Sequence, residues 1–163
     1  MKRPTGADRK HLEAAEAWLH LGNHVEAAKE GIAADLSTDP EVLSARWEIC
    51  VAGKRWDAAF EVASELVATN PKRTKNWLRK SQNLKELKRI REARVNIRLA
   101  RESNDWAVDD LYELACEAAN LDDLEQALAC VTAATGKPGF DQLKALALVT
   151  DVFEEIQPQI QVL

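Results

Sequence analysis

Apolar residues recur along this chain at helical spacing. Leu111, Leu114, Ala115 and Ala118 make one such stripe, at i, i+3, i+4 and i+7, which is one face of a helix. No segment alternates apolar and polar residues with the period of a strand. The pattern predicts helices over 8–21, 24–37, 40–53, 56–69, 74–87, 90–102, 107–120 and 123–135. A ninth is expected over about 140–156, with Leu143, Leu146, Val149 and Phe153 on one side. It follows the Gly136-Lys137-Pro138-Gly139 break. Turn residues fall between the helices. Gly22-Asn23 and Gly53-Lys54 divide hairpins, while Asp39-Pro40 and Asn70-Pro71 separate one hairpin from the next.

The hairpins repeat. Ala27, Ala59, Ala93 and Ala127 stand in one column; Ala34, Leu66, Ala100 and Ala134 in a second; Ala15, Trp47, Ser81 and Ala115 in a third. All of them step by 32, then 34, then 34 residues. A period near 34 with small residues at fixed places is the signature of stacked helical hairpins. Trp47 is the misfit in a small-residue column. Either the first helix of the second repeat is displaced there or the register over 40–55 is off by about two or three residues, and the shortened first interval favours the second.

These residues resemble the tetratricopeptide-repeat pattern, which runs W-x-x-L-G-x-x-Y, then A-x-x-x-F, then A and P. The third repeat matches as Trp77-x-x-Lys80-Ser81-x-x-Leu84, Ala93-x-x-x-Ile97 and Ala100. The fourth matches as Leu111-x-x-Leu114-Ala115-x-x-Ala118, Ala127-x-x-x-Val131 and Ala134. The second closes with Trp56, Ala59, Ala63, Leu66 and Pro71. The first is degenerate, with His11 at the leading Trp place and Gly31 for a large residue. The resemblance implies an all-α fold, a right-handed α-solenoid of stacked antiparallel helix pairs. The expected division is a flexible N-terminus 1–7, repeats 8–39, 40–73, 74–106 and 107–139, a capping helix 140–157 and a loose tail 158–163. A terminal helix is needed because a solenoid end otherwise exposes an apolar face.

Composition narrows the function. The chain is 46% hydrophobic and 30% charged, so it can bury a core. It lacks an 18-residue apolar run and the apolar heart of a signal peptide at Met1–Asp8, which favours a cytoplasmic protein. Cys50, Cys116 and Cys130 have neither disulfide-framework nor metal-type spacing. They read as small buried residues, with Cys116 the most accessible. His20 and His24 are split by a turn, so they do not form a metal pair. No phosphate-binding glycine motif and no convergent acid–base set is visible. The expectation is a non-enzyme without metal or cofactor. Trp18, Trp56 and Trp77 fall in columns buried by the repeat, and Trp106, in a turn, is expected to be partly exposed.

Charge is strongly segregated. Residues 1–71 carry a net −4, residues 72–101 carry +10, and residues 102–163 carry −11. Part of this reads as pairing between neighbouring helices, Arg94 and Arg101 meeting Asp110, Glu113 or Glu117. Such pairs fix register more than they stabilise. The family resemblance implies that the first helix of each repeat lines a concave, peptide-binding groove. Lys75, Leu78, Arg79, Gln82 and Lys85 are then its candidates in the third repeat, with Tyr112 in the fourth. Lys75 and Arg79 lie one helical turn apart, and two cations on one face suit a carboxylate. The spacing resembles part of the carboxylate clamp that holds chaperone C-termini. The rest of that clamp is missing, since its places hold Leu12, Glu16 and Ala45.

The leading expectation is therefore a protein–protein interaction scaffold. Its groove takes a peptide segment of a partner, acidic or ending in a free carboxylate. A dedicated chaperone for a secreted or assembling partner is an alternative, using Leu12, Leu19, Val51, Leu78 and Tyr112 for apolar contacts. Nucleic-acid binding through the basic third repeat is a further one. It is disfavoured by the acidic repeat that follows and by the absence of interleaved exposed aromatics.

Overall fold

A computed structural model describes residues 6–23, 26–27, 29–30, 39–104 and 106–163. The side chains of residues 7–9, 12, 16 and 19 also lie outside that description. Among the described residues all regular structure is helical. The helices are α1 (Gly6–His20), α2 (Pro40–Ala52), α3 (Trp56–Thr69), α4 (Thr74–Glu86), α5 (Ile90–Ser103), α6 (Val108–Asn120), α7 (Leu124–Ala133) and α8 (Phe140–Ala147). A 3-10 helix (Asp151–Ile156) and α9 (Gln157–Gln161) follow. The helix expected over 24–37 falls largely outside the described residues, as do His24, Gly31, Ala34 and most of the N-terminal segment 1–7.

The chain forms two compact units, residues 1–71 and 72–163. In the first, α2 and α3 pack as an antiparallel pair and α1 packs on α2. Helix α2 starts cleanly because Asp39 caps it, its Oδ1 accepting the Glu41 N–H at 2.8 Å, with Pro40 at the first helical position. Its core includes Ala15, Ala27 and Ile49, and a second cluster of Leu43, Val62 and Leu66. Trp47 packs half-buried against that second cluster. Trp18, expected in the core, is 36% exposed.

In the second unit, α4 pairs with α5 and α6 with α7, and α6 packs on both α4 and α5. Asn96 of α5 donates its amide to the Trp77 carbonyl of α4 at 3.0 Å. Between the pairs, Trp106 donates its indole N–H to the Ala100 carbonyl at 2.7 Å. That side chain is 4% exposed, correcting the partial exposure expected of a turn residue. The buried ring satisfies a carbonyl that the end of α5 leaves free.

Small-residue columns mark the tight places. Ala27, Ala59, Ala93 and Ala127 are all fully buried at 0% exposure, and so are Ala15, Ser81 and Ala115. The turns within hairpins form a further column that residue type does not reveal. Gly22, Lys54, Lys88 and Asp122 all have positive φ, at 73°, 54°, 61° and 55°. The following N–H reaches five residues back each time: Asn23 to Trp18 at 2.8 Å, Arg55 to Cys50 at 2.8 Å, Arg89 to Leu84 at 2.8 Å and Asp123 to Ala118 at 3.0 Å. This is the left-handed helix-closing turn in which one residue reverses the chain and the next caps the helix. The column steps by the same 32, 34 and 34 residues. Trp47 therefore stands in its column without a register shift, and the sequence interval from Ala34 to Trp47 is two residues shorter than its later counterparts.

The C-terminal region departs from the single helix expected over 140–156. It breaks into α8, the 3-10 helix and α9, which together cover α6 and α7. Leu143 and Phe153 are buried, at 5% and 0% exposure, but Leu146 and Val149 face solvent. Across the break Phe153 and Ile160 are buried, while Leu146 and Val149 of the expected stripe are left in solvent. Ile160 is 0% exposed, so the described tail is anchored where a loose end was expected.

Candidate functional site

Helix α4 carries the residues singled out as groove-lining, and it is unusually polar on its inner side. Thr74, Asn76, Arg79, Ser81 and Asn83 are all buried. One flank forms a hydrogen-bonded seam with α6. Thr74 donates its hydroxyl to Asp110, Ser81 donates to Glu117 Oε1 at 3.1 Å, and Lys85 Nζ donates to the Asn120 carbonyl at 3.4 Å. Burial pushes the Glu117 carboxyl above its ordinary value, with the Ser81 hydrogen bond and the Lys85 charge acting the other way. Helix α4 thereby presents a fixed stripe beside the seam.

That stripe holds Lys75, Leu78, Gln82 and Lys85, at i, i+3, i+7 and i+10, which is one face of a helix. Lys75, Gln82 and Lys85 are exposed and Leu78 is half-buried. Arg79 is placed differently. It is 4% exposed, so it does not stand beside Lys75 as a second solvent-facing cation. In its place, Lys72 and Arg73 extend the exposed charge at the start of α4. That first turn contains no acidic residue. Among the described residues Lys72, Arg73 and Lys75 have no carboxylate partner.

Tyr112 sits half-buried on α6 beneath the C-terminal region. Its hydroxyl lies 3.0 Å from Thr150 Oγ1, and its ring meets Phe153 edge to face with centroids 6.0 Å apart. Burial raises its hydroxyl pKa, and the Thr150 hydrogen bond acts the other way. The chain's own C-terminal segment is thus its neighbour. Of the apolar groove candidates, Val51 is half-buried, and the side chains of Leu12 and Leu19 lie outside the described residues, as does that of Glu16.

The pairing expected of Arg94 and Arg101 takes another form. Arg94 donates from Nε to the Leu121 carbonyl at 2.8 Å, capping the end of α6 instead of meeting its carboxylates. Arg101 pairs with its neighbour Glu102 at 3.2 Å. Asp110 and Glu117 of α6 are met instead from α4, by the Thr74 and Ser81 hydroxyls.

One concavity went unread in the sequence. Asp122, Asp151, Glu154 and Glu155 border a cavity of about 530 Å³ between the α6–α7 turn and the 3-10 helix. Asp151, Glu154 and Glu155 share a helical face by spacing, and the packing of the 3-10 helix on α6 and α7 brings them to Asp122. Among the described residues no three His, Cys, Asp or Glu side chains are grouped to hold a metal ion. Cys50 and Cys116 are half-buried, Cys130 is buried, and none of the three is in a disulfide. Burial raises the Cys116 thiol and pushes Cys130 up to about 11. No described helix is long and apolar enough to cross a membrane.

Among solved structures, the chain is similar to "MamA 41-end from Desulfovibrio magneticus RS-1", with TM-score 0.58 and 15% identity over 98% of this chain and 92% of that one. The "MamA RS-1 ArsTM double mutant" matches with TM-score 0.58 and 14% identity, over 98% and 91%. "MamA MSR-1 C2" matches with TM-score 0.57 and 16% identity, over 86% and 78%. No family model and no curated protein matches the chain. MamA is a helical protein of tetratricopeptide repeats, and at such low identity the likeness speaks for architecture alone. With its buried alanine columns and recurring hairpin turns, the chain has the tetratricopeptide-repeat fold.

Proposed function

We propose that this protein is a non-enzymatic interaction scaffold that holds an acidic segment, or a C-terminal carboxylate, of a partner protein along α4. Lys75 and Lys85 bracket the site, with Leu78 and Gln82 between them. Arg79, buried on the same helix, and Tyr112, on α6 against the C-terminal segment, complete the proposed set. Lys75 and Lys85 are ten positions apart, about 15 Å along a helix, which spans roughly four or five residues of extended peptide.

The observation that carries the reading is the exposed cation cluster Lys72, Arg73 and Lys75 at the start of α4, unrelieved by any acid in the first turn. A helix N-terminus already bears partial positive charge, so each added cation there is unfavourable by about 0.3–1 kcal/mol. An incoming carboxylate reverses that penalty.

The test uses two synthetic glutamate-rich peptides, one with a free and one with an amidated C-terminus. The Lys72→Glu/Lys75→Glu variant should bind both at least tenfold more weakly, and binding by the parent should weaken as salt rises. A preference for the free end identifies the carboxylate as the ligand. Equal affinity of parent and variant, with unchanged circular dichroism, rejects the site.

A further inference from the structure

Helix α5 has two opposed faces, and only one of them is used inside the second unit. Ala93, Asn96, Ile97 and Ala100 are buried, on the side by which α5 packs against α4 and α6. At 3.6 residues per turn, Arg91, Val95, Arg98 and Leu99 fall roughly half a turn away. Val95 and Leu99 are 51% and 52% exposed, one turn apart, and both arginines are exposed. Val95 and Leu99 thus leave a small aliphatic pair open to solvent on α5.

The charges around that pair are one-sided. Both acids of α5 are engaged by neighbours. Glu92 holds Arg89 through contacts of 2.7 Å and 2.6 Å, which lower its pKa below the ordinary carboxylate value. Glu102 holds Arg101 at 3.2 Å. Among the described residues Arg91 and Arg98 have no carboxylate partner. They stand seven positions apart, about 10.5 Å along the axis, with Val95 between them.

The geometry points to a second binding surface on α5, independent of the α4 stripe, that receives an acidic amphipathic helix of a partner protein. The incoming helix lays two apolar residues, one turn apart, across Val95 and Leu99. Two of its carboxylates, seven residues apart, meet Arg91 and Arg98 as forked ion pairs. A basic helix is refused by the same arginines.

The probe is a fluorescein-labelled, helix-forming peptide carrying two leucines one turn apart and two flanking glutamates seven apart. Its twin has lysines for the glutamates. Anisotropy should show the acidic peptide binding at least tenfold more tightly than its twin. Both Arg91→Glu/Arg98→Glu and Val95→Ser/Leu99→Ser should weaken it at least tenfold. Arg91→Lys/Arg98→Lys should bind more weakly than the parent and more tightly than Arg91→Glu/Arg98→Glu, because lysine keeps the charge and loses the fork, and Lys72→Glu/Lys75→Glu should leave binding unchanged. Since every altered side chain is exposed, circular dichroism should be the same throughout. The proposal is overturned if the parent does not distinguish the two peptides, or if only the α4 variant loses binding. It is also overturned if sedimentation shows a dimer that Val95→Ser/Leu99→Ser dissolves, since the occupant is then a second copy. Tighter binding to phosphatidylserine vesicles than to the peptide, abolished by Arg91→Glu/Arg98→Glu, overturns it in favour of a lipid surface.

Discussion

Ser81 donates its hydroxyl to Glu117 at 3.1 Å, and seven residues earlier on both helices Thr74 does the same for Asp110. Two hydroxyl–carboxylate contacts at one common offset lock α4 and α6 in register. A slip of one residue would break both. The cost is a carboxylate held out of water, which raises the pKa of Glu117.

A pH dependence follows from that burial. A carboxyl whose folded pKa lies above its unfolded value binds its proton more tightly in the folded state. It therefore destabilises the fold as pH rises past the ordinary value of 4.5 toward the raised one. Glu117→Gln keeps an acceptor for Ser81 and removes the titration. The variant should gain stability relative to the parent on going from pH 4 to pH 7. Urea denaturation at the two pH values measures this. A difference between parent and variant that does not change with pH would show that Glu117 is not held in this way.

Three of the four hairpin turns carry a strained residue. Lys54, Lys88 and Asp122 occupy the left-handed region that Gly22 occupies without cost. A side chain there costs roughly 1–2 kcal/mol, against about 0.5–1 kcal/mol of extra chain entropy for glycine. Lys54→Gly and Lys88→Gly should each stabilise by about 0.5–1 kcal/mol. Gly22→Ala should destabilise by about 1 kcal/mol, through conformation alone, since a Cβ there would meet nothing within 4 Å. Thermal denaturation of the three variants tests both signs at once.

The alanine column should tolerate no growth. Ala93 and Ala127 are fully buried, so Ala93→Leu or Ala127→Leu should cost about 1–3 kcal/mol through overpacking. Chemical denaturation midpoints give the answer, and unchanged midpoints in both variants would remove close helix contact as the reason for the column.

Thiol chemistry should separate the cysteines. Cys130 is 0% exposed, its Sγ lies 3.7 Å from Gln126 Nε2, and its pKa is pushed up to about 11 by burial. At pH 8 it should resist a thiol reagent until the protein is unfolded, whereas Cys50 and Cys116 should react in the native state. Rapid native labelling of Cys130, read by mass spectrometry, would contradict the packing around it. Its thiolate should also destabilise the fold as pH rises above about 9, because the folded state holds the proton up to about 11.

Much of this architecture was legible from residues alone, because helices and close contacts leave periodic marks. Buried alanines at a fixed step are such a mark, and so is the charge excess of residues 72–101. What escaped notice was set by backbone geometry or by distant partners. Lys54 and Lys88 look like ordinary surface lysines, although their φ values make them turn residues. Trp106 looked like a loop aromatic until its indole met the Ala100 carbonyl. Arg79 shares a helical turn with Lys75, yet one faces solvent and the other is buried, a difference settled by what packs against each side of α4. The C-terminal stripe Leu143, Leu146, Val149 and Phe153 is helical in spacing, but covering both α6 and α7 required the chain to bend.

A hairpin turn that makes the same bond four times, whichever residues it carries, has a consequence for how such a chain changes its length over evolutionary time. An unequal crossover between any two of these turns regenerates a complete turn at the joint, because the bond runs between main-chain atoms. Whole hairpins can then be duplicated or lost without inventing a new junction. The interval from Ala34 to Trp47 is two residues shorter than from Leu66 to Ser81 or from Ala100 to Ala115, so the spacing between successive hairpins varies while the turns keep their bond.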